Sequence, residues 1–204
     1  MAYALIVVGT SWGGLSALEI LLPAFPADFP LPLVVVQHRS ADSGAALAAV
    51  LRRHSALAVR EPEDKEAIRP GYVYIAPADY HLLIEESAFA LTTDAPVGYA
   101  RPSIDVLFES AADAYAERVI GVVLTGASHD GANGAAVIRA QGGLVIAQDP
   151  ATAESPLMPR TVIERGAADY VLPLDEIGPF LVRLCARKPH LAPIRSARPD
   201  VDQP

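Results

Sequence analysis

A serine in a glycine-rich turn is the first residue whose surroundings suit chemistry. Ser11 lies in the segment Gly9-Thr10-Ser11-Trp12-Gly13, which matches the G-x-S-x-G pattern of a nucleophile elbow. Small residues beside the serine let the chain reverse sharply and present the hydroxyl at the edge of a sheet. The backbone N–H groups that open the following helix would face an anion forming there. The same turn could be purely structural or bind phosphate, although its glycines do not give G-x-G-x-x-G.

Two further reactive side chains follow later apolar strands. His38 comes directly after the second strand, and Asp130 follows the strand that ends at residue 124. Serine, imidazole and carboxylate are the groups that acyl transfer requires, because serine is a poor nucleophile until a positioned base takes its proton. His38 could instead be a structural strand-end histidine, and Asp130 an N-cap. His129 and Asp149 remain alternative choices for the base and the acid.

Alternating strand and helix patterns must position these residues. Strands are predicted near 4–8, 32–37, 57–60, 71–77, 119–124, 144–148 and 170–172, and helices near 15–22, 43–54, 103–114, 131–141, 157–165 and 176–187. Residues 81–84 and 89–92 have hairpin spacing. We therefore predict an α/β fold: a doubly wound, mostly parallel sheet with helices on both faces and a small antiparallel hairpin insertion. Ligands of such folds lie beyond the carboxyl ends of the strands.

Composition narrows the class of protein. The 204 residues are 51% hydrophobic and 20% charged, with a net charge of −8, which indicates a globular chain and disfavours nucleic acid as a partner. The single cysteine, Cys185, lies in an apolar helical stretch and is expected to pack there. No signal peptide or membrane span is predicted, so a cytoplasmic location without membrane insertion is expected. We expect one domain over 1–187 and a proline-rich, disordered tail over 188–204.

Several segments, in order, resemble the catalytic domain of the bacterial chemotaxis protein-glutamate methylesterases (CheB type). The similar stretches are Gly9-Thr10-Ser11-Trp12-Gly13-Gly14, Val36-Gln37-His38, 69–77 (RPGYVYIAP), 101–108 (RPSIDVLF), Leu124-Thr125-Gly126 with Asp130-Gly131, and 146–149 (IAQD) with Met158-Pro159. The resemblance covers about residues 4 to 185. The order of serine, histidine and aspartate also suits that family, whereas α/β-hydrolases place the histidine last.

The resemblance implies hydrolysis of glutamyl γ-methyl esters on the cytoplasmic helices of a methyl-accepting chemoreceptor or receptor-like protein. It also implies deamidation of receptor glutamines, and no metal or cofactor. Carried over by position, Ser11 is the nucleophile, His38 the base and Asp130 the acid. We expect one ring nitrogen of His38 near the Ser11 hydroxyl, within about 2.6–3.2 Å or somewhat more, and the other near Asp130.

The remaining predicted site residues surround that triad. The turn 126–128, through Ala127, would supply one oxyanion N–H, and Trp12 or Gly13 would supply another. Arg101 is placed with the substrate-binding residues.

The sequence departs from the family pattern at several points. Trp12 stands where threonine or another small polar residue is usual, Ala127 where methionine is common, and Ala100 where a histidine often precedes Arg-Pro-Ser. The family's receiver domain has no counterpart in this sequence, so we expect a stand-alone catalytic domain. It would be constitutively active or controlled by a separate phosphorylated regulator. A noncatalytic receptor-binding module that keeps the fold is the alternative function, and a nucleotide-binding protein is a weaker one.

Overall fold

A computed structural model describes residues 3–40 and 46–186. The strands are β1 Leu5–Thr10, β2 Leu33–Gln37, β3 Ala58–Arg60, β4 Tyr72–Ile75, β5 His81–Glu85, β6 Ala88–Thr92, β7 Val119–Val123, β8 Leu144–Gln148 and β9 Tyr170–Leu172. The helices are α1 Gly14–Leu21, α2 Ala46–Leu51, α3 Ile104–Tyr115, α4 Ala132–Ala140, α5 Leu157–Glu164 and α6 Leu174–Ala186. Short 3₁₀ turns occupy Leu22–Ala24, Arg52–His54, Ala116–Arg118 and Pro150–Thr152.

Seven strands form one sheet in the order β3-β4-β2-β1-β7-β8-β9, and every neighbouring pair is parallel. All residues of β1 and β7 are buried, because helices cover both faces of the sheet. One face packs against α3, α4, α5 and the hairpin, and the other against α1, α2 and α6. Strands β5 and β6 pair antiparallel as a separate two-stranded sheet. The predicted fold class and hairpin are confirmed.

Strand β1 lies at the centre, with β2 on one side and β7 on the other, as expected. Thr10 pairs with Gln37, and Gly9 pairs with Val123, so the carboxyl ends of the three strands are level. Neighbouring strands are about 4.8 Å apart. The residues that follow these strands are therefore delivered to one short stretch of the sheet edge.

Element boundaries differ from the predictions by a few residues. Helix α6 begins at Leu174 rather than Glu176, since Asp175 and Glu176 occupy its first turn, where carboxylates suit the helix dipole. Helix α2 is described from Ala46, and the predicted start at Ser43 lies outside the described residues. The predicted tail over 188–204 also lies outside them.

Candidate active site

Ser11 lies where β1 gives way to α1. Its backbone N–H donates to the Thr125 carbonyl at 3.0 Å, and its carbonyl accepts from the Gly14 N–H at 2.9 Å. Gly13, the N-cap of α1, has φ 78° and ψ 1°, a left-handed conformation that favours glycine. Both ends of the serine turn are thus fixed, and Ser11 lines a cleft of about 500 Å³ together with His38.

His38 follows the last residue of β2, one strand away from Ser11. Its Nε2 atom lies 2.7 Å from Asp130 Oδ2. Because an ionised carboxylate can only accept a hydrogen bond, Nε2 carries the proton and Nδ1 keeps a lone pair. The backbone N–H of His38 donates to the Thr10 carbonyl at 3.0 Å, which fixes the start of the loop. The imidazole is therefore oriented by the carboxylate and has one nitrogen able to accept a proton.

The expected direct contact between Ser11 and His38 is not made. Within residues 3–40 and 46–186, the Ser11 hydroxyl has no hydrogen bond of 3.5 Å or shorter to the protein. Catalytic hydrogen bonds commonly tighten only when substrate binds. The histidine–aspartate half of the expected geometry is present, and the serine–histidine half stays a prediction.

Asp130 is buried and accepts hydrogen bonds at both carboxylate oxygens. Five donors surround it: Oδ1 accepts from Ser103 Oγ (2.9 Å), Asp105 N–H (2.9 Å) and Gly131 N–H (3.0 Å), and Oδ2 accepts from Ile104 N–H (2.7 Å) and His38 Nε2 (2.7 Å). Two of these donors are the first N–H groups of α3, which have no partner inside their own helix. The carboxylate therefore caps α3 from a different loop while it holds the histidine.

The surroundings of Asp130 favour its charged form. Burial acts to raise its pKa, but hydrogen bonds from His38 and from the Asp105 and Ile104 N–H groups outweigh burial, and the pKa lies below its ordinary value. The carboxylate thus stays ionised at neutral pH. It can then stabilise the positive charge that the imidazole acquires on taking a proton.

A second buried carboxylate, Asp105, lies in the first turn of α3. It accepts from the Gly134 N–H at 2.8 Å and from Asn133 Nδ2 at 3.0 Å, both at the start of α4. Burial raises the pKa of Asp105, and the charge of Asp130 raises it further, while the Gly134 N–H opposes both. We call this pair the reciprocal caps: Asp130, just before α4, caps α3, and Asp105, in α3, caps α4.

Backbone N–H groups without acceptors border the cleft at two turns. Within the part of the chain that the structure describes, the N–H groups of Trp12, Gly13 and Ala127 donate to no protein acceptor. The Gly126 N–H differs, because it donates to the Ser155 carbonyl at 2.9 Å. The unpaired N–H groups therefore include those of all three residues that we predicted to form the oxyanion site.

Two side chains that we did not predict tie the loops of the site together. Gln37 Nε2 donates to the carbonyls of Ser11 and His38, at 2.8 and 2.9 Å. Thr125 Oγ1 donates to the Trp12 carbonyl at 2.9 Å. The serine turn is therefore linked by side chains to the loops after both neighbouring strands.

The rim of the cleft is apolar and acidic. Trp12 is 66% exposed, and Ala127 is also exposed. Glu154 lines the same cleft, with its carboxylate close enough to Gly13 that a Cβ atom there would meet Oε2 at 2.7 Å. An incoming substrate must pass these side chains to reach Ser11.

Arg101 lies on the other side of His38, where both border a second cavity of about 170 Å³. Its Nε and Nη2 donate to Asp79 Oδ1, and its Nη1 donates to the carbonyls of Thr93 and Asp94 at 2.8 and 3.0 Å. Most of its five N–H donors are therefore committed to the protein. Arg101 fixes the loop beside the histidine, and substrate binding by it stays a prediction.

His129 and Asp149, the alternative choices for base and acid, are not paired with Ser11, His38 or Asp130. His129 is exposed, and no described side chain accepts from or donates to its ring. Asp149 accepts from the Ala151 N–H at 2.9 Å and so caps a short 3₁₀ turn. Asp130 and His38 are the acid and imidazole that this sheet edge brings together.

Two absences concern only the described residues. Among them, no group of three or more His, Cys, Asp or Glu side chains could hold a metal ion. None of their helices combines the length and the apolar character that crossing a bilayer requires.

A comparison with protein-family models identifies the family to which the chain belongs. The model described as CheB methylesterase matches residues 6–181, a range that contains Ser11, His38 and Asp130. The chain belongs to the CheB methylesterase family. The crystal structure of the Thermotoga maritima CheB methylesterase catalytic domain superposes with a TM-score of 0.86 at 40% identity, covering 90% of this chain and 100% of that one.

Named relatives agree with this assignment to the CheB family. A Leptospira interrogans protein, provisionally named protein-glutamate methylesterase/protein-glutamine glutaminase, is 46% identical over 185 residues, which are 90% of this chain and 96% of that protein. A Thermotoga maritima protein of the same name is 41% identical over 184 residues, which are 88% of this chain but 54% of that protein. The chain thus spans nearly all of the first relative and about half of the second.

Proposed function

We propose that this chain is a serine esterase that hydrolyses glutamyl γ-methyl esters on a chemoreceptor or receptor-like protein to glutamate and methanol. The observation that carries the proposal is the His38–Asp130 pair at 2.7 Å, whose histidine borders the same cleft as Ser11 in a chain of the CheB methylesterase family. The proposed place of action is the cytoplasm, on the receptor's cytoplasmic helices.

Acylation begins at Ser11. Nδ1 of His38 takes the hydroxyl proton as Oγ attacks the ester carbonyl carbon, and the carbonyl π electrons move onto oxygen. The N–H groups of Trp12, Gly13 and Ala127 are the donors proposed to stabilise that oxyanion. When the tetrahedral intermediate collapses, methoxide leaves with the proton held by His38, so methanol departs and an acyl-enzyme remains.

Deacylation repeats the sequence with water as the nucleophile. His38 takes a proton from water as it attacks the acyl carbon, and the proton returns to Ser11 Oγ when the ester bond to the enzyme breaks. The product is a glutamate side chain. A receptor glutamine would follow the same path with ammonia as the leaving group, which accounts for the proposed deamidase activity.

Residues at the rim are proposed to select the substrate. Trp12 offers a broad exposed ring beside the serine, and rings of this kind act as anchors in protein contacts. Arg101 is proposed to act on the other side of His38, through the loop that it fixes and its remaining N–H. No nucleic-acid partner and no cofactor are proposed.

Methanol release from a methylated receptor of the same cell tests the proposal. The purified chain should release methanol, and Ser11→Ala should lose at least several orders of magnitude of activity while it unfolds at the same temperature. Activity retained within about tenfold would show that Ser11 is not the nucleophile. Receptor binding without methanol release by the wild type would favour the noncatalytic module instead.

Control of the activity is a separate proposal. The cleft is open to solvent in the described part of the chain, and we propose that the chain is active without phosphorylation. Activity that appeared only after a phosphorylated partner was added would instead favour control by a separate regulator.

A further inference from the structure

We propose that Ser103 is a positioning residue for Asp130, and that His81 fixes Ser103 in turn. Together they hold the carboxylate at the rotation that points one of its oxygens at His38. The inference rests on the proposed function, because it assigns a role within the same triad. It concerns two buried residues outside the cleft that contact no reacting atom.

Ser103 is the N-cap residue of α3, but its hydroxyl does not serve mainly as a cap. An N-cap side chain normally accepts from the N–H of the second or third helical residue at about 2.9 Å. Here the Val106 N–H lies 3.5 Å from Ser103 Oγ, and Asp130 accepts the earlier N–H groups instead. The Ser103 hydroxyl donates to Asp130 Oδ1 at 2.9 Å. It therefore acts as a donor to the carboxylate.

That donation is to the oxygen of Asp130 that does not face His38. Oδ1 accepts from three groups and Oδ2 from two, one of which is His38. Among the five donors, only Ser103 and His38 use side chains. The two side-chain donors are on opposite oxygens, so Ser103 opposes any rotation that would turn Oδ2 away from the histidine.

His81 holds the backbone of Ser103 from the other side. Only 1% of His81 is exposed, and both ring nitrogens are used: Nδ1 accepts from the Ser103 N–H at 3.2 Å, and Nε2 lies 3.2 Å from the Ala95 carbonyl. A nitrogen that accepts an N–H and another that faces a carbonyl require the neutral ring with its proton on Nε2. The chain of hydrogen bonds thus runs from His38 through Asp130 and Ser103 to a ring locked in one tautomer.

Kinetics of a graded series test the role of Ser103. Ser103→Ala removes the donor, Ser103→Cys weakens it, and Ser103→Thr keeps a hydroxyl. We expect Ser103→Ala to lower kcat about tenfold or more, since hydrogen bonds to charged groups are strong, with KM changed less than about twofold. Ser103→Thr should recover most of the loss and Ser103→Cys should lie between. The acid limb of the kcat/KM profile reports protonation of the base, and it should move to higher pH in Ser103→Ala, because a carboxylate with one donor fewer holds a proton on the neighbouring base more strongly.

Ser110→Ala is the matched control. Ser110 lies on the same helix, where its hydroxyl accepts from the Ile84 N–H at 3.1 Å and donates to the Leu107 carbonyl at 3.0 Å, away from Asp130. This variant should leave kcat and the acid limb unchanged even where it lowers the unfolding temperature. Equal kcat in Ser103→Ala and Ser110→Ala would overturn the inference.

The ring-proton NMR signals of His38 test the same contact without turnover. They should shift in Ser103→Ala and stay in place in Ser110→Ala, and unshifted signals in both would count against positioning by Ser103. If Ser103→Ala does not fold, the comparison of Ser103→Cys with Ser103→Thr gives the same two readouts. Absence of hydrolysis by the wild type would refute the proposed esterase, whereas the NMR result judges the positioning role alone.

Discussion

Replacing Asp130 with asparagine should disable the chemistry and weaken the cap of α3, because of how the donors are arranged around it. Oδ1 accepts from three groups, two of them backbone N–H groups that cannot turn away. Oδ2 accepts from only one backbone N–H, that of Ile104, besides His38. The asparagine oxygen should therefore take the Oδ1 position, and its NH₂ group should face the histidine.

That orientation sets the size of both effects. Facing an NH₂ donor, Nε2 of His38 must accept, so the ring proton moves to Nδ1, and Nδ1 can no longer take the proton of Ser11. The corresponding change in serine proteases lowers kcat by about 10⁴-fold. The buried Ile104 N–H also loses its acceptor, which costs about 1–3 kcal/mol, or about 2–4 °C of unfolding temperature per kcal/mol for a chain of this size.

Methanol release and thermal unfolding of Asp130→Asn measure the two effects. Asp149→Asn is the control, because Asp149 also follows a strand end but caps only a short 3₁₀ turn through the Ala151 N–H. The control should keep kcat within about twofold. A kcat for Asp130→Asn within about tenfold of the wild type would refute the tautomer argument, and an unchanged unfolding temperature would refute the cap.

Three further predictions concern the same region. Trp12→Thr should change the free energy of unfolding by less than about 0.5 kcal/mol, since the ring is exposed, but raise KM for a methylated receptor more than for a small methyl ester. Gly126→Ala should lower kcat by about 10²-fold, because the added Cβ would lie 2.8 Å from Ser11 Cβ and 1.9 Å from Met158 Sδ. The control Gly166→Ala should not lower kcat, because a Cβ at that position meets no atom within 4 Å. The pKa of Asp130 is lowered on folding, so its stabilisation is present above the ordinary value of 3.8 and disappears as pH falls through the folded value. Urea unfolding should accordingly show wild type and Asp130→Asn converging below about pH 4, and a gap that widened there would contradict the assignment.

The placement of Ser11, His38 and Asp130 after three neighbouring strands was predictable from local patterns. Ser11 and His38 each follow a continuous apolar run, and such runs become neighbouring parallel strands with level carboxyl ends. Asp130 follows the strand on the other side of β1. Short turns after central strands leave little freedom for where these side chains lie. The positions of the three residues directly after apolar runs were therefore enough to predict that they lie at one edge of the sheet.

Contacts between distant loops were not predictable in the same way. From its neighbours in the sequence, Asp130 was expected to cap the helix that follows it, α4. In the structure Gly131 is at the N-cap position of α4, and Asp130 caps α3 instead. The residues that meet there are more than 20 positions apart, and no spacing rule relates them. The sequence around Ser103 predicted only that a helix starts there. Its hydroxyl acts as a donor because Asp130 lies beside it, which the sequence does not show.

The reciprocal caps also bear on how this family can lose activity. Asp130 and Asp105 each accept hydrogen bonds from the start of the other's helix, so both carboxylates still contribute to stability in a lineage that no longer needs hydrolysis. The side chains of Ser11 and His38 cap no helix, so substitutions at these two positions should cost less stability. An aspartate at position 130 of a relative is therefore weak evidence that the relative is an esterase. A substitution at the position of Ser11 or His38 is stronger evidence that the relative is a pseudoenzyme.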